Sequence, residues 1–308
     1  MARAERSLPP VPLGTAALER RSELRSDAAL VPRLLADPGS RVLRLHGDSV
    51  AVREGDDGSR LVLGPPEPGD ALRLVVYLGE AGGVAHLGVV DDPPTGSDPA
   101  LRTLRQVGAH LGATDATLFA TTLALANWHR THGFCSRCGS PTTAVLAGWL
   151  RRCTVDGSEH YPRTDPAVIM SVVDDDDRLL LATGRDFRRG GMSVLAGFVE
   201  PGETLAAAVA REVYEEVGIE VDDVTYLGDQ PWPFPSSLMV GFTARAHSTE
   251  LRLQDDEIAA ARWFSRDELV AAIADGSLHI PGPLSIARRL LEHWYGGPVQ
   301  APEVVSLR

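Results

Sequence analysis

Glu212, Glu215 and Glu216 fall within five residues of the stretch REVYEEVGI, residues 211–219. On a helix, positions i, i+3 and i+4 share one face, and like charges so placed repel by roughly 0.2–0.5 kcal/mol per pair. Either solvent screens that repulsion or a cation offsets it. A hard divalent ion such as Mg²⁺ takes oxygen ligands and lets phosphate oxygens complete its shell, whereas a solvated acidic face would need no ion.

Two further sets of residues could do chemistry. Cys135, Cys138 and Cys153 are the only cysteines, an odd number crowded into nineteen positions, which fits a metal site in a reducing compartment better than a disulfide framework. Cys135-x2-Cys138 followed by Cys153 is the spacing of a zinc ribbon whose fourth ligand would fall at position 156. That position is Asp156, which can ligate zinc through oxygen; His160 is the alternative donor, and three ordinary buried thiols are the alternative to a metal. In QPWPFPSS, residues 230–237, Pro231, Pro233 and Pro235 restrict the backbone to extended conformations. Trp232 and Phe234 thus stand on a stiff segment, suited to stacking on a planar ring or to covering the core.

The elements that position these residues follow from composition and periodicity. With 308 residues and 44% hydrophobic content, the chain suits two domains with real cores. A formal charge of −12 disfavours a general affinity for nucleic acid or anionic membrane. All thirty basic residues are arginine, which excludes Schiff-base chemistry and a Lys-dependent phosphate loop. The start carries no apolar core of a signal peptide and no window is apolar enough to span a bilayer, so a cytoplasmic protein without membrane contact is expected.

Residues 1 to about 40 are Arg- and Ala-rich and read as partly helical. From Val42 to Val90, runs such as RVLRL, SVAVRE, RLVLG and LRLVVYLG predict short antiparallel strands. A helix is predicted from about Thr114 to His132, and a second mixed region opens near Pro166 and closes with the helical patterns SRDELVAAIADG and PLSIARRLLEHWY. Within it, Pro201-Gly202 makes a turn, Thr204 is an N-cap and Gly218 ends the glutamate helix. Leu205, Val209, Val213 and Val217 form its expected buried stripe, with the carboxylates along the border.

Gly197, Glu203, Arg211, Glu212, Val213, Glu215, Glu216, Gly218 and Ile219 match every fixed position of the pattern G-x5-E-x7-R-E-U-x-E-E-x-G-U, with U aliphatic. The sequence therefore resembles the Nudix hydrolases, which cleave a nucleoside diphosphate linked to another group. The resemblance implies a loop-helix-loop in which Glu212, Glu215 and Glu216 hold Mg²⁺ or Mn²⁺ while Arg211 pairs with Glu203. Eleven residues past the box, QPWPFPSS is similar to the signature SQPWPFPxS of the NAD(H) diphosphatases, the NudC-like branch, with Asp229 standing where the branch has Ser.

That likeness implies that Gln230, Pro231, Trp232, Pro233, Phe234, Pro235, Ser236 and Ser237 meet the dinucleotide, as do Arg105 in LRQV, Tyr161 in HYP and Ala287 in IARRL. It implies Ala196 as a backbone carbonyl ligand and Glu257 as a further metal ligand; unaided, Glu257 reads as a solvated carboxylate and Arg105 as an exposed charge. The branch carries four ribbon cysteines, so Asp156 departs from its pattern. The expected fold is α+β: an N-terminal α+β domain over residues 1–132, a zinc-ribbon-like motif over 133–163, a Nudix α/β/α sandwich with a mixed sheet over 164–293, and a tail over 294–308. The expected activity is hydrolysis of the pyrophosphate of NADH or NAD⁺ to AMP and nicotinamide mononucleotide, with NAD-capped RNA as a further substrate, by a homodimer. ADP-ribose is the alternative substrate. A silent nucleotide sensor or zinc-ribbon nucleic-acid binder is the alternative of another class, and three intact glutamates count against it.

Overall fold

A computed structural model describes residues 8–13, 18–55, 58–93, 96, 98–185, 187, 189–253 and 258–302. The chain divides into two units, Thr15–Thr164 with Pro231–Ser236, and Met1–Gly14 with Asp165–Gln230 and Ser237–Arg308. Neither unit is continuous in sequence.

In the first unit, α1 (Leu30–Ala36) precedes strands β1 (Arg41–His46), β2 (Ser49–Gly55), β3 (Gly58–Leu61), β4 (Leu74–Ala81), β5 (Val84–Asp91) and β6 (Leu101–Thr103). The order is β3-β2-β1-β5-β4, with β6 beside β2. The expectation of purely antiparallel strands is corrected at the centre: β1 runs parallel to β5, Leu43 opposite Gly88. Val42, Leu43 and Leu45 are all buried, so β1 is covered on both faces, the habit of a central strand in a mixed sheet.

After the short α2 (Leu104–Val107), α3 (Ala113–Thr131) falls within a residue of its predicted bounds. It buries Leu118, Phe119, Leu123, Leu125 and Trp128, more than one face, as expected of a helix enclosed by its unit. Strands β7 (Thr142–Val145), β8 (Leu150–Cys153) and β9 (Glu159–His160) make a small antiparallel sheet. This ribbon belongs to the same unit as α3.

The second unit carries β10 (Asp165–Val173), β11 (Leu179–Gly184), β12 (Leu195–Phe198), α4 (Leu205–Val217), β13 (Val221–Trp232), β14 (Ser237–Ala246), β15 (Ile258–Phe264), α5 (Arg266–Ala274) and α6 (Ile286–Tyr295). The order is β13-β14-β10-β11-β15, with β12 beside β10 and β14 parallel to β10. Strand periodicity builds the three layers. Val168, Met170, Val172, Leu180 and Ala182 pack with α4 residues Ala208, Val209, Val213 and Val217. The alternate residues Ile169, Val173, Leu179 and Leu181 pack with α5 and α6 through Leu269, Ile286, Leu290 and Leu291. The result is the expected α/β/α sandwich with a mixed sheet.

Two segments outside the expected bounds join this core. Leu8 and Val11 pack against it, and the Leu8 amide donates to Leu227 O at 3.0 Å. Trp294 and Val299, expected in a tail, are buried in the same cluster. Among the described residues, no helix is long and apolar enough to cross a membrane.

Candidate active site and metal centre

The glutamate helix α4 is punctuated as its residues demand. Thr204 caps it by accepting from the Ala207 amide, and Gly218 ends it in the left-handed region at φ 71°. Val209, Val213 and Val217 are buried, but Leu205, in the first turn, is 39% exposed, and Ala208 takes its place in the stripe. Glu216 lies deeper than a border position, at 6% exposure, because it shares the inner face with Glu212, one turn earlier.

Arg211 meets the opening charge problem. Its Nε donates to Glu203 Oε2 at 3.1 Å and its Nη2 to Glu203 Oε1 at 2.6 Å, a bidentate pair. Its Nη1 donates to Glu212 Oε1 at 2.9 Å and to Glu215 Oε2 at 3.0 Å, and Nη2 also reaches Phe198 O at 2.9 Å. Glu203 Oε1 in turn accepts from the Glu200 amide, closing the loop onto the helix. The expected Arg211–Glu203 pair is therefore present, with two of the three clustered glutamates added to it. The Glu203 carboxyl is held below its ordinary range chiefly by Arg211, and the guanidinium is raised chiefly by Glu203. Burial pushes the Glu212 carboxyl up against the pull of Arg211.

Strand β12 supplies the opposite wall. A Cβ on Gly197 would fall 1.9 Å from the Glu212 carboxylate carbon, so only glycine leaves that carboxylate its place. Ala196, beside it, is exposed and pairs with Ile169 in the sheet. Carboxylate oxygens are the donor type that Mg²⁺ and Mn²⁺ prefer, so Glu212, Glu215 and Glu216 fit a divalent ion by their chemistry, although Glu212 and Glu215 are turned to Arg211 here. Glu257 lies outside the described residues.

The ribbon's donors are arranged more tightly. Single donor atoms of Cys135, Cys138, Cys153 and Asp156 all lie within 4.8 Å of one another. Zinc–sulfur bonds of about 2.3 Å at tetrahedral angles separate donors by roughly 3.8 Å; Cys138 Sγ and Cys153 Sγ are 3.4 Å apart, and Cys135 Sγ and Asp156 Oδ2 3.8 Å. Backbone amides fix the sulfurs: Arg137 N donates to Cys135 Sγ, and Val155 N and Asp156 N to Cys153 Sγ, each at 3.4 Å. Asp156 Oδ1 accepts from Ser158 N at 2.9 Å and Ser158 Oγ at 2.6 Å, which holds the carboxyl well below its usual range and leaves Oδ2 toward the thiols. Contact with Ser158 also brings the Cys135 thiol down to about 6. His160 meets Ser158 Oγ at 3.4 Å and stands outside the donor group. Three thiols and a carboxylate at this spacing fit a tetrahedral zinc ion.

The proline-rich stretch departs from the extended backbone its prolines predict. Trp232 still ends β13, but residues 233–236 form a turn, with Phe234 N donating to Trp232 O at 2.7 Å and a cis bond before Pro235. Trp232 and Phe234 meet edge to face at 4.9 Å. Arg105 lies over both rings, 3.9 Å from Phe234 and 5.2 Å from Trp232, so three residues assigned to the dinucleotide come together across the sequence. Asn127 Nδ2 donates to Pro233 O at 3.0 Å and Pro235 O at 3.2 Å, and Arg130 steadies its Oδ1 at 2.9 Å. Sequence reasoning missed Asn127; its signal was an amide in the otherwise apolar run LALANW.

Other assigned residues have partners of their own. Gln230 is fully buried, its Nε2 donating to Pro12 O at 2.6 Å and Leu284 O at 2.7 Å while its Oε1 accepts from Ile286 N at 2.8 Å. It braces the start of α6. Ala287, in the first turn of α6, is 3% exposed and packs in the core. Tyr161 is 63% exposed and its hydroxyl donates to Glu159 at 2.8 Å. Pro231 and Pro235 are exposed, and Ser237 opens β14 opposite Asp165.

Residues 163–280 match the model of the NUDIX domain, and residues 130–161 that of the NADH pyrophosphatase zinc ribbon domain. With its glutamate helix and this ribbon, the chain belongs to the Nudix hydrolases. A relative from Mycobacterium bovis, "NAD-capped RNA hydrolase NudC", is 40% identical over 276 residues, 83% of this chain and 86% of its own. The human "NAD-capped RNA hydrolase NUDT12" is 39% identical over 208 residues, 64% of this chain and 44% of its own. A NUDIX hydrolase structure from Nitrosomonas europaea aligns at 22% identity and a TM-score of 0.41, covering 54% of this chain and 94% of that one.

Proposed function

We propose that this chain hydrolyses the pyrophosphate of NADH or NAD⁺ to AMP and, respectively, reduced or oxidised nicotinamide mononucleotide, and removes the same dinucleotide cap from RNA 5′ ends. The observation that carries this reading is the turn at 231–236, which offers Trp232 and Phe234 under Arg105 and is clamped by Asn127. A rigid pair of aromatic edges suits a flat nicotinamide or adenine ring, and the relatives' printed activities concern NAD-capped RNA.

Glu212, Glu215 and Glu216 would hold Mg²⁺ or Mn²⁺, with Ala196 and Glu257 as further ligands. When bound, such ions neutralise bridging phosphates and lower the pKa of a coordinated water. The chain's own contribution is placement. Gly197 admits the Glu212 carboxylate, Glu203 anchors Arg211, and Arg211 fixes how far Glu212 and Glu215 can spread. Cys135, Cys138, Cys153 and Asp156 would hold zinc as a structural site with no open position. A homodimer accords with the branch.

Product analysis of NADH, NAD⁺, ADP-ribose and NAD-capped RNA, each with Mg²⁺ and with Mn²⁺, tests the reading. Reduced nicotinamide mononucleotide and AMP from NADH, with slower turnover of ADP-ribose, is the expected result. Preferred cleavage of ADP-ribose, or no cleavage of any of the four, would overturn it.

A further inference from the structure

Trp149 stands just before β8, its Nε1 donating to Tyr77 O at 2.7 Å. Two guanidiniums lie against its ring, Arg25 with Cζ 3.7 Å from the centroid and Arg20 at 5.5 Å. Among the described residues neither meets a carboxylate, and Arg25 Nε is buried with no hydrogen-bond partner. The carboxylates nearby are engaged: Arg21 pairs with Glu23 at 2.7 Å and with Glu80 at 3.2 Å. Burial holds both guanidiniums below their ordinary range, and the charge of Arg20 lowers that of Arg25 further. Cation–π contact offsets part of such a cost. Arg20 is exposed and Arg25 half-buried; the charge of Glu23 reaches Arg25, but Glu23 is already bound to Arg21, so the two like charges touch no counter-charge of their own.

We propose that Arg20, Arg25 and Trp149 form an anion site for a phosphate group. The proposed cap removal, on which this choice of ligand rests, supplies phosphodiesters of the attached RNA; free inorganic phosphate offers the same chemistry. Guanidinium forks match phosphate oxygens bidentately, and the indole holds Arg25 in place so that little freedom is lost on binding. Neither arginine belongs to the glutamate helix or to the turn at 231–236, so the site acts on affinity for the RNA body and leaves turnover of the free dinucleotide alone.

The test titrates the full chain, as wild type, Arg20→Gln and Arg25→Gln, with a short fluorescent uncapped single-stranded RNA between about 50 and 200 mM salt. Binding should weaken severalfold in each variant, and the log–log salt slope should flatten by about 0.7 for each phosphate no longer neutralised. NADH turnover should stay at the wild-type value. If inorganic phosphate raises the wild-type melting temperature but not that of Arg25→Gln, while RNA affinity is equal in all three, the site stands with free phosphate as its ligand. Equal RNA affinity and salt slope in all three proteins, with no difference in the phosphate-induced melting shift, would overturn the site and leave a structural stack. Arg20→Gln, whose guanidinium is the outer of the two, keeps the test alive if Arg25→Gln does not fold. Failure of wild type to cleave NADH or capped RNA would refute the proposed activity, while the binding readouts still judge the site.

Discussion

The ribbon and the glutamate helix both carry metal-type donors, yet they place them by opposite means. In the ribbon, two backbone knuckles aim amides at the sulfurs, and the four donors stand within 4.8 Å of one another. On α4 the carboxylates sit at the ends of long side chains, and Glu212 and Glu215 take their places from Arg211. The first arrangement is set by the main chain and suits a permanent structural ion. The second is set by whichever cation is adjacent, which suits ions that arrive with a phosphorylated substrate.

The largest expected effect lies on the helix. Glu216→Gln should lower NADH turnover by several orders of magnitude while melting temperature holds or rises slightly, since the substitution relieves like-charge repulsion. Turnover near wild type, measured at saturating Mg²⁺, would break the contrast at its catalytic end. In the ribbon the loss should appear as stability. Chelation should lower the melting temperature by roughly 10 °C, the size of about 3 kcal/mol in a unit of this length. Elemental analysis should find zinc in the untreated protein, and Asp156→Cys should slow its loss to chelator.

The ribbon's seat on α3 can be probed by pH. His129 is buried and neutral: its Nε2 donates to Gly148 O at 2.9 Å while Nδ1 accepts from Arg151 Nη1 at 2.9 Å. Burial lowers its pKa from 6.5 to about 4. The unfolded chain therefore binds a proton first, so this contribution is complete above pH 6.5 and is lost as pH falls toward 4. It should amount to at most about 3 kcal/mol. Denaturation midpoints across that window should decline less steeply in His129→Gln, which has no proton to gain.

Smaller effects belong to the turn at 231–236, where side chains from elsewhere fix a backbone. Trp232→Ala should cost about 1–3 kcal/mol of kcat/KM on NADH, roughly ten- to a hundredfold, with metal affinity unchanged. Comparison with ADP-ribose shows whether nicotinamide is the ring involved. Asn127→Ala removes two hydrogen bonds worth about 0.5–1.5 kcal/mol each, and KM should rise severalfold with kcat nearly constant. Asn127→Asp keeps the shape but lacks the donor, so it should behave like the Ala variant; recovery in that variant would show that Asn127 only fills space.

What was legible in the sequence was what local spacing encodes. Thr204 and Gly218 bounded α4, the spacing of four marked Val209, Val213 and Val217 as buried, and the cysteine spacing placed Asp156 among the donors. Spacing is blind to partners far along the chain. Gln230 sits inside a binding signature and looked ligand-facing, yet its partners Pro12 and Leu284 lie 218 and 54 residues away. Asn127 reaches Pro233 across 106 residues. The parallel pairing of β1 with β5 has the same cause, because alternation marks a strand's faces but not its neighbour. The prolines misled differently: each limits one dihedral, which permits a turn as readily as an extended run.

The discontinuity of both units bears on synthesis. Translation at about 5–20 residues per second leaves Asn127 roughly 5–20 s before Pro233 is made. The Leu8 amide waits longer still for Leu227, the partner it meets in the second unit. Through that interval the first unit has its sheet, its ribbon and α3, but not the six residues that complete it. The seat of the aromatic turn is thus built before the turn leaves the ribosome, and a chain arrested between residues 164 and 230 would carry Arg105 and Asn127 with nothing yet to hold.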